Sequence, residues 1–377
     1  MLKNSTDVFD IFLNLKISKM KKLFLFITVL LVIVSCSKEN YDKKELQTKT
    51  SSSELKLSTA DSIARMNAGA FLKSTITEKE MDSIAKLRSK LTAVSKSKSV
   101  LYSYSDTSGF INIVVWYNKT TVMSQNPKIS VSVDDGYVLV GGGAFADDQS
   151  GNGAFLTKSW PDDGLTTWSA ESKSHLVSNL HNLSVYAVGM KILGVSGDYV
   201  RSKMLIVKDS SARVNHPSIS KTLPSNYIML GGGVWDDWDY TGGYGNMVVA
   251  SYPTNVAGDN RTWYVEGKDH RYADPSVIHI AVIGIQKMIS GDVGLRVAYH
   301  NTVGYGSGKV QITNKVENSY ALIGNAGYCH YGTGWGRMIE ALYPSSIRYA
   351  KLISKDQTYI DYDYNVVYSI GLGIIPK

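Results

Sequence analysis

The sequence predicts an all-β protein built from three copies of one segment of about 90 residues. The first observation is a tyrosine that opens an apolar run into a glycine-rich triplet, found at Tyr137, Tyr227 and Tyr320. These positions are 90 and 93 residues apart. The second observation is a proline that ends a later strand in each copy, at positions 161, 253 and 344, spaced 92 and 91 residues apart. Similarity at a fixed period indicates a repeat architecture.

The third observation is the residue pattern within each copy. From Leu101 onward, short runs rich in Val, Ile, Tyr and Thr alternate with Gly, Asn, Asp and Pro, which predicts strands and turns. In the first copy we expect six strands, near residues 111–117, 128–134, 137–144, 154–160, 166–173 and 183–192.

The short connections between the copies indicate how the copies assemble. The β domain, residues 101–377, divides into copies at about 107–195, 196–289 and 290–377, joined by two or three residues at a Ser-Gly turn. Separate domains normally lie on longer linkers. We therefore expect one threefold pseudo-symmetric, β-prism-like body of three sheets, with three tandem small β-sandwiches as the alternative.

Residues 1–36 are a predicted export signal, which begins more naturally at Met20 than at Met1. Its apolar run, Leu23 to Val34, is shorter than the roughly 20 residues needed to span a bilayer. The run ends in Ile-Val-Ser-Cys36, which resembles the lipobox of bacterial lipoproteins. The resemblance implies a lipid on Cys36, a membrane anchor and a position in the cell envelope, at the outer membrane.

Residues 37–100 are predicted to form a flexible tether followed by a helical segment. The tether is polar and rich in Lys, Ser and Thr. Thr77 and Glu80 match a capping box, and apolar residues at three- and four-residue spacing follow, which predicts a helix over 78–93. All seven tryptophans lie beyond residue 115, so we expect the large core in the β domain.

Charge and cysteine content exclude two classes of protein. Five Lys and two Asp lie in residues 1–35, which leaves a formal charge of +4 on the other 342 residues. That mild excess argues against a nucleic-acid partner. The two cysteines are Cys36 and Cys329, and lipidation of the first leaves no pair for a disulfide or a cysteine metal site.

Two repeated patterns have structural explanations. Consecutive glycines at a strand end allow the chain to bulge, to turn or to approach another backbone closely. A strand follows them, whereas a phosphate-binding loop needs a helix and a lysine. A Glu-x-Lys-x-His pattern begins at Glu171 and at Glu266, with its three side chains on one strand face. The third copy keeps only Lys355. We expect a solvated face with an ion pair there, and predict no catalytic residues.

The segment after the glycines differs most between the copies, and we expect the ligand-binding residues there. It mixes aromatic rings with Asp, Asn and Arg, which suits sugars and is also typical of protein-binding hot spots. The candidate residues are Asp147 and Asp148 in the first copy, Trp235, Asp236, Asp237, Trp238, Asp239 and Tyr244 in the second, and Tyr328, Tyr331, Trp335 and Arg337 in the third. Asp236, Asp237 and Asp239 could also hold calcium through oxygen ligands.

The Gly-Gly-Gly, Ser-Tyr-Pro and Trp positions resemble a repeat of bacterial secreted and surface proteins of unassigned activity. The expected threefold prism is similar to several lectin families and to accessory domains of pore-forming proteins, which implies carbohydrate binding. We therefore expect a lipid-anchored envelope protein that recognises a glycan or a protein without catalysis. The alternatives are an envelope glycan hydrolase that uses loop carboxylates and a purely structural surface lipoprotein.

Overall fold

The structure is a computed structural model that describes residues 98–148, 151, 153–238, 245–254, 260–290, 293–332 and 336–376. The predicted signal, Cys36 and the predicted tether and helix up to residue 97 lie outside the described residues. The described residues form three β-sheets with one short helix, which confirms the predicted all-β class.

The first copy contains the six strands expected from the sequence. They are β2 (Ile111–Lys119), β3 (Lys128–Ser132), β4 (Val138–Asp147), β5 (Phe155–Pro161), β6 (Thr167–Lys173) and β7 (Asn182–Ile192), preceded by β1 (Ser99–Ser105). The predicted strands are confirmed, and no strand end differs from its predicted position by more than three residues.

The second and third copies repeat this series. The second copy has helix α1 (Gly197–Ser202) and strands β8 (Met204–Ser210), β9 (Ser218–Thr222), β10 (Tyr227–Asp236), β11 (Met247–Pro253), β12 (Thr262–Lys268) and β13 (Ile278–Gln286). After β14 (Met288–Ser290), the third has β15 (Val293–Gly306), β16 (Lys309–Lys315), β17 (Ala321–Cys329), β18 (Arg337–Pro344), β19 (Tyr349–Asp356) and β20 (Asp363–Pro376).

Helix α1 begins at a Ser-Gly pair that the sequence predicted to be a turn. Ser196 is in an extended conformation, and its side chain accepts a hydrogen bond of 3.2 Å from the Tyr199 N–H. This is the usual way in which serine satisfies a free N–H group at a helix start. Arg201 in the last turn binds Asp198, three residues earlier, at 2.9 Å.

Each sheet joins strands from two copies, and all its strand pairs are antiparallel. Sheet 1 has the order β1-β2-β7-β4-β18-β19-β16, sheet 2 the order β3-β6-β5-β10-β13-β8, and sheet 3 the order β14-β15-β20-β17-β11-β12-β9. The junction between copies consists of two residue pairs in every sheet: β4 with β18, β10 with β5, and β17 with β11. Half of each copy therefore pairs with a neighbouring copy.

The glycine strands β4, β10 and β17 approach one another in a cyclic way. A side-chain carbon added at Gly141 would overlap the carbonyl oxygen of Ile323, which is the residue before the third glycine run. At Gly231 it would meet the Val140 carbonyl oxygen at 3.7 Å, and at Gly324 the Leu230 carbonyl oxygen at 3.4 Å. The predicted close approach of backbones at the glycines is thus confirmed.

The core is one continuous apolar cluster drawn from all three copies. Its largest members include Trp116, Trp168, Trp263 and Phe155, all essentially without solvent exposure. Inward-facing residues alternate with half-exposed ones along strands such as β6 and β12, as expected where one sheet face is solvated. In the described part of the chain, no helix has the length and hydropathy needed to cross a membrane.

Candidate functional site

Two predicted site residues at the end of β4 bind lysines instead of facing open solvent. The Asp147 carboxylate accepts a hydrogen bond from Lys119 at 2.8 Å at the surface. The Asp148 side chain is fully buried and accepts hydrogen bonds from Lys355 at 2.8 Å and Asn179 at 2.7 Å. Burial alone would raise the pKa of Asp148, but these hydrogen bonds hold it well below its usual value. Asp148 therefore has a structural role.

Asp236, at the end of β10, is fully buried. It lies in an enclosed charged cluster with Lys173, whose ammonium is 4.5 Å from the centre of the Trp238 ring. Burial raises the pKa of Asp236 and lowers that of Lys173, and the opposite charge of each partner limits both shifts. The Asp236 carboxylate is buried in the described structure, and its role in ligand binding stays a prediction. Trp238 covers the lysine.

Arg337 is also fully buried, at the start of β18. Its Nε donates to Asp356 at 2.9 Å, and its two terminal nitrogens donate to the Gly306 carbonyl at 2.8 Å and the Asp363 carbonyl at 3.0 Å. The guanidinium is satisfied by an acid and by backbone carbonyls. Arg337 ties β18 to the neighbouring loops, and its role in ligand binding stays a prediction without support from these contacts.

These contacts share one pattern, in which a lysine at the same position of each copy is covered by the next copy. The lysines are Lys173, Lys268 and Lys355, and the residues that cover them are Trp238, Tyr331 and Asp148. The solvated face expected from the Glu-x-Lys-x-His pattern is therefore wrong at its lysine and histidine positions, which are buried. Much of the sequence divergence between the loops arises because each loop covers the equivalent lysine with a different side chain.

Two further predicted residues lie on the outer face of sheet 2. The half-buried Trp235 stacks on His279 with 4.6 Å between ring centres, and the Lys158 ammonium lies 4.5 Å from the Trp235 ring. Asp237 is 3.5 Å from the guanidinium of Arg213. Both residues reach solvent, so their role in binding stays a prediction.

Four of the predicted functional residues, Asp239, Tyr244, Trp335 and Cys36, lie outside the described residues. The proposed calcium site depends on one of them, Asp239, and so stays a prediction. Among the described residues no group of three or more His, Cys, Asp or Glu side chains is placed to hold a metal ion.

The most extended aromatic surface in the described part of the chain lies on the outer face of sheet 3. It contains one tyrosine on each of five neighbouring strands, in the order Tyr264, Tyr252, Tyr328, Tyr364 and Tyr305. Successive ring centres are 5.5, 4.6, 6.1 and 5.9 Å apart. We call this row the tyrosine face. At a strand spacing of about 4.8 Å, its four intervals extend over roughly 19 Å.

Neighbouring side chains hold these rings in place. Tyr252 also stacks on Tyr368 at 6.1 Å, and the Tyr264 hydroxyl donates to Glu266 at 3.0 Å. Burial raises the pKa of Tyr264 to about 12 and also raises the pKa of Tyr328. The hydroxyls therefore stay protonated at neutral pH, where each can donate and accept a hydrogen bond.

Shorter aromatic rows occupy the other two sheets. Sheet 1 has Tyr117, Tyr186, Tyr343 and Phe145, and sheet 2 has Trp160, Trp235 and His279. In each sheet the row includes the ring of the Ser-Trp/Tyr-Pro or equivalent Leu-Tyr-Pro segment. The aromatic row is thus a shared feature of the sheets, and its extension to five tyrosines is specific to sheet 3.

An open cleft of about 480 Å³ adjoins the tyrosine face. We call it the Arg271 cleft; it is lined by Asn215, His216, Lys268, Asp269, His270, Arg271, Tyr272, Ala273, Tyr331 and Gly332. Tyr331 connects the two surfaces, because its hydroxyl donates at 2.5 Å to Glu266, which also accepts from Tyr264. Of the predicted site residues that the structure describes, Tyr328 and Tyr331 meet here.

The one carboxyl group in the described lining of the cleft is already engaged by neighbouring groups. A glycosidase needs two carboxyl groups on opposite sides of the scissile bond. The described lining of the cleft has one, Asp269, and both of its oxygens are engaged, by His216 at 2.6 Å and by the Asp274 N–H at 3.1 Å. The loop acids Asp148 and Asp236 are buried elsewhere.

Sequence reasoning missed most of this surface. Tyr252 lies in the repeated Ser-Tyr-Pro segment and was assigned to a strand end, and Tyr264, Tyr305 and Tyr364 were not singled out. The available signal was composition, since 24 of 377 residues are tyrosine. Composition cannot place them together, because the row takes two rings from the second copy and three from the third.

Comparison with known proteins gives no relative on which an assignment could rest: no family model matches the chain, and no curated protein matches it significantly.

Proposed function

We propose that this protein is a non-catalytic carbohydrate-binding protein of the cell envelope, which holds a glycan along the tyrosine face of sheet 3. The observation that carries this proposal is the row of five tyrosines on five neighbouring strands. A sugar ring offers a C–H face that stacks on an aromatic ring and hydroxyl groups that pair with phenol hydroxyls. A row of amphipathic rings supplies both interactions repeatedly along its length.

The form of the surface supports a chain-like ligand. The rings form a line across the sheet, whereas protein-binding hot spots concentrate in desolvated pockets near the centre of an interface. Four of the five rings are half-buried and packed against neighbouring rings, so little side-chain entropy is lost when a ligand binds. Tyr305 at the end of the row is 66% exposed.

Removal of two central rings tests this function. We expect Tyr252→Ala combined with Tyr328→Ala to weaken binding to the recognised polysaccharide at least tenfold, a loss of about 1.4 kcal/mol or more. Affinity electrophoresis and pull-down on a panel of neutral and acidic polysaccharides measure this. Tyr349→Ala, at an exposed tyrosine of sheet 1, is the matched control and should bind normally.

Two results would contradict the proposal. One is the absence of binding to every polysaccharide class by a folded protein. The other is unchanged binding by the double variant, with circular dichroism showing a normal fold. A purely structural protein predicts that the double variant alters stability and nothing else.

We also propose that the three sheets form a threefold pseudo-symmetric prism. The cyclic contacts support it: Gly141 lies against the residue before Gly324, Gly231 against the residue before Gly141, and Gly324 against the residue before Gly231. The matching junctions β4 with β18, β10 with β5, and β17 with β11 support it as well. A rotation of about 120° that superposes β4 on β10 and β10 on β17 in an experimental structure would test it.

The envelope location rests on the lipobox-like sequence before Cys36. We expect Cys36→Ser to abolish incorporation of labelled palmitate and to release the protein from the membrane fraction. Cys329→Ser is the matched control, because Cys329 is buried and burial raises its thiol pKa to about 12, which makes it unreactive. Labelling that persists in Cys36→Ser would contradict this anchor.

A further inference from the structure

The Arg271 cleft lies between two copies and is continuous with the tyrosine face. Its walls are the turn after β12 in the second copy and the segment after β17 in the third. Tyr331 forms the shared edge: it is 6.1 Å from His216 in the cleft and 6.5 Å from His330 between ring centres. His330 in turn stacks on Tyr364 of the tyrosine face at 4.6 Å.

The described lining of this cleft holds two cations, Arg271 and Lys268, and one acid, Asp269, while Asp361 and Glu266 also lie near Lys268. The exposed Arg271 forms no hydrogen bond or ion pair with any described residue. Lys268 is nearly fully buried and contacts the Tyr331 ring, with 4.2 Å from its ammonium to the ring centre. The acidic member of the described lining, Asp269, is already bound to His216 and to the Asp274 N–H.

A buried imidazole in the lining also lacks a partner. His270 is 2% exposed, and neither of its ring nitrogens has a hydrogen-bond partner among the described residues. Burial, together with the nearby His175, Lys268 and Arg271, lowers the pKa of His270 to about 3, so the ring is neutral near pH 7. An unpaired buried polar group is unfavourable, and an oxygen atom of a ligand would supply the missing partner.

Of these groups, only the exposed arginine is specific to the second copy, because the first copy keeps Lys173 and His175 and the third keeps Lys355. Leu176, Arg271 and Thr358 occupy equivalent positions, and all three have positive φ angles, of 56°, 70° and 61°. The turn is therefore part of the repeated scaffold. At this turn position only the second copy has a cation, as expected of a feature that binds a ligand.

We propose that the Arg271 cleft binds an anionic group, carboxylate, sulfate or phosphate, of an acidic glycan whose adjoining sugars lie on the tyrosine face; this rests on the proposed function. Arg271 pairs with the anionic group, and its planar guanidinium suits two-point contact with carboxylate or phosphate oxygens. His270 donates its N–H, and Lys268 contributes positive charge from below the Tyr331 ring.

A pair of ligands that differ only in charge tests this inference. A uronic-acid polysaccharide and its carboxyl-reduced neutral form are titrated into the mature protein, with sulfated and phosphorylated oligosaccharides as further arms. We expect the wild type to prefer at least one acidic form over the neutral form by tenfold or more. The preference should decrease as NaCl increases, because salt screens the pairing.

The variant Arg271→Gln separates this inference from the proposed function. We expect it to lose the preference for the acidic form and to keep the affinity for the neutral form. Lys191→Gln, at an exposed cation of sheet 1, should leave both affinities unchanged. Arg271 is exposed, so the variant is expected to fold.

Two outcomes overturn the inference. The first is a wild type that binds neutral and acidic forms equally. The second is an Arg271→Gln variant that keeps the full preference. If the variants Tyr252→Ala and Tyr328→Ala still lose binding in these experiments, the proposed function stands without the anionic site. If they also bind normally, the proposed function fails separately.

Discussion

A glycine, a serine and a tryptophan pack against one another in two of the copies. In the third copy all three are replaced by other residues. The complete sets are Gly142, Ser159 and Trp168, and Gly232, Ser251 and Trp263; the replacement is Asn325, Leu342 and Ala350. In the complete sets the indole packs on the glycine and its N–H donates to the serine hydroxyl, at 2.9 and 3.0 Å. Where the tryptophan ring is absent, neither a glycine beneath it nor a serine that accepts its hydrogen bond is required.

Adjacent glycines of β10 provide a matched pair for testing this packing. A methyl group at Gly232 would lie 2.6 Å from the Trp263 ring, whereas at Gly231 its nearest neighbour would be at 3.7 Å. We expect Gly232→Ala to destabilise the protein by about 1–3 kcal/mol, the usual cost of overpacking. Gly231→Ala should change the free energy of unfolding far less. Urea unfolding of both variants measures this, and equal losses would contradict the packing.

A second residue-scale prediction concerns Glu340, which is fully buried in β18. The Lys309 ammonium is 2.7 Å from its Oε2 atom. Burial raises the pKa of Glu340 to about 7, and the lysine only partly offsets this. The folded state therefore holds its proton more tightly than the unfolded state, so stability is greatest below about pH 4.5 and falls as pH rises to about 7.

We expect Glu340→Gln to reduce the loss of stability between pH 5 and pH 7.5 by up to ~3 kcal/mol. Urea unfolding at both pH values measures the difference between the wild type and the variant. Glu317→Gln, at an exposed glutamate, is the control and should leave the pH dependence unchanged. An identical pH dependence in the wild type and Glu340→Gln would contradict this assignment.

At the scale of the element, neighbouring copies are linked by lysines that occupy equivalent positions. Lys355 of β19 reaches Asp148 after β4 at 2.8 Å, and its ammonium also donates to the Gly151 carbonyl. Asp147, the adjacent residue, binds Lys119 in a more exposed ion pair of the same length. The two pairs differ mainly in burial, which makes them a matched comparison.

We expect Lys355→Met to destabilise the protein by about 3–5 kcal/mol, because it leaves the Asp148 carboxylate buried without its cation. Lys119→Met should cost at most about 1 kcal/mol, as is usual for surface pairs. Thermal and urea unfolding compare the two. If Asp148→Asn restores most of the stability of Lys355→Met, the buried charge is the cause. Similar losses for both lysine variants would contradict this account.

The strands of the first copy could be predicted from sequence because they follow a local rule. Short runs of β-branched and aromatic residues between turn residues predicted all six strands. Strand β1 was not predicted, because its sequence, from Ser99 to Ser105, has an exposed face and adds an edge to sheet 1. Helix α1 was missed because its six residues are too few to show a helical period.

The candidate site was harder to predict because burial and neighbours depend on pairing between copies. Asp236 and Arg337 are charged residues in the segments that diverge, and no local pattern in the sequence indicates that the folded chain buries them. Tyr331, a predicted binding residue, lines the open cleft, but its neighbours His216 and Arg271 come from another copy. Sequence distance conceals such combinations until the strand order of the sheets is known.

At the scale of the whole molecule, the exchange of strands makes each copy incomplete. In the second copy, β8, β13 and β10 belong to sheet 2, whereas β11, β12 and β9 belong to sheet 3. An isolated copy would expose the backbone groups of β10 and β11 that pair with β5 and β17 in the full chain. It would also expose apolar residues of the shared core, such as Leu230 and Val248.

We therefore expect the β domain to unfold in one cooperative transition, with equal calorimetric and van't Hoff enthalpies. Residues 196–289 expressed alone should lack dispersed NMR signals as a monomer, because their two half-sheets have no partners. Differential scanning calorimetry of the mature protein and NMR of the fragment make these measurements. The alternative of three tandem sandwiches predicts three separable transitions and a folded, monomeric fragment. Either result would show that the pairing between copies does not hold the domain together.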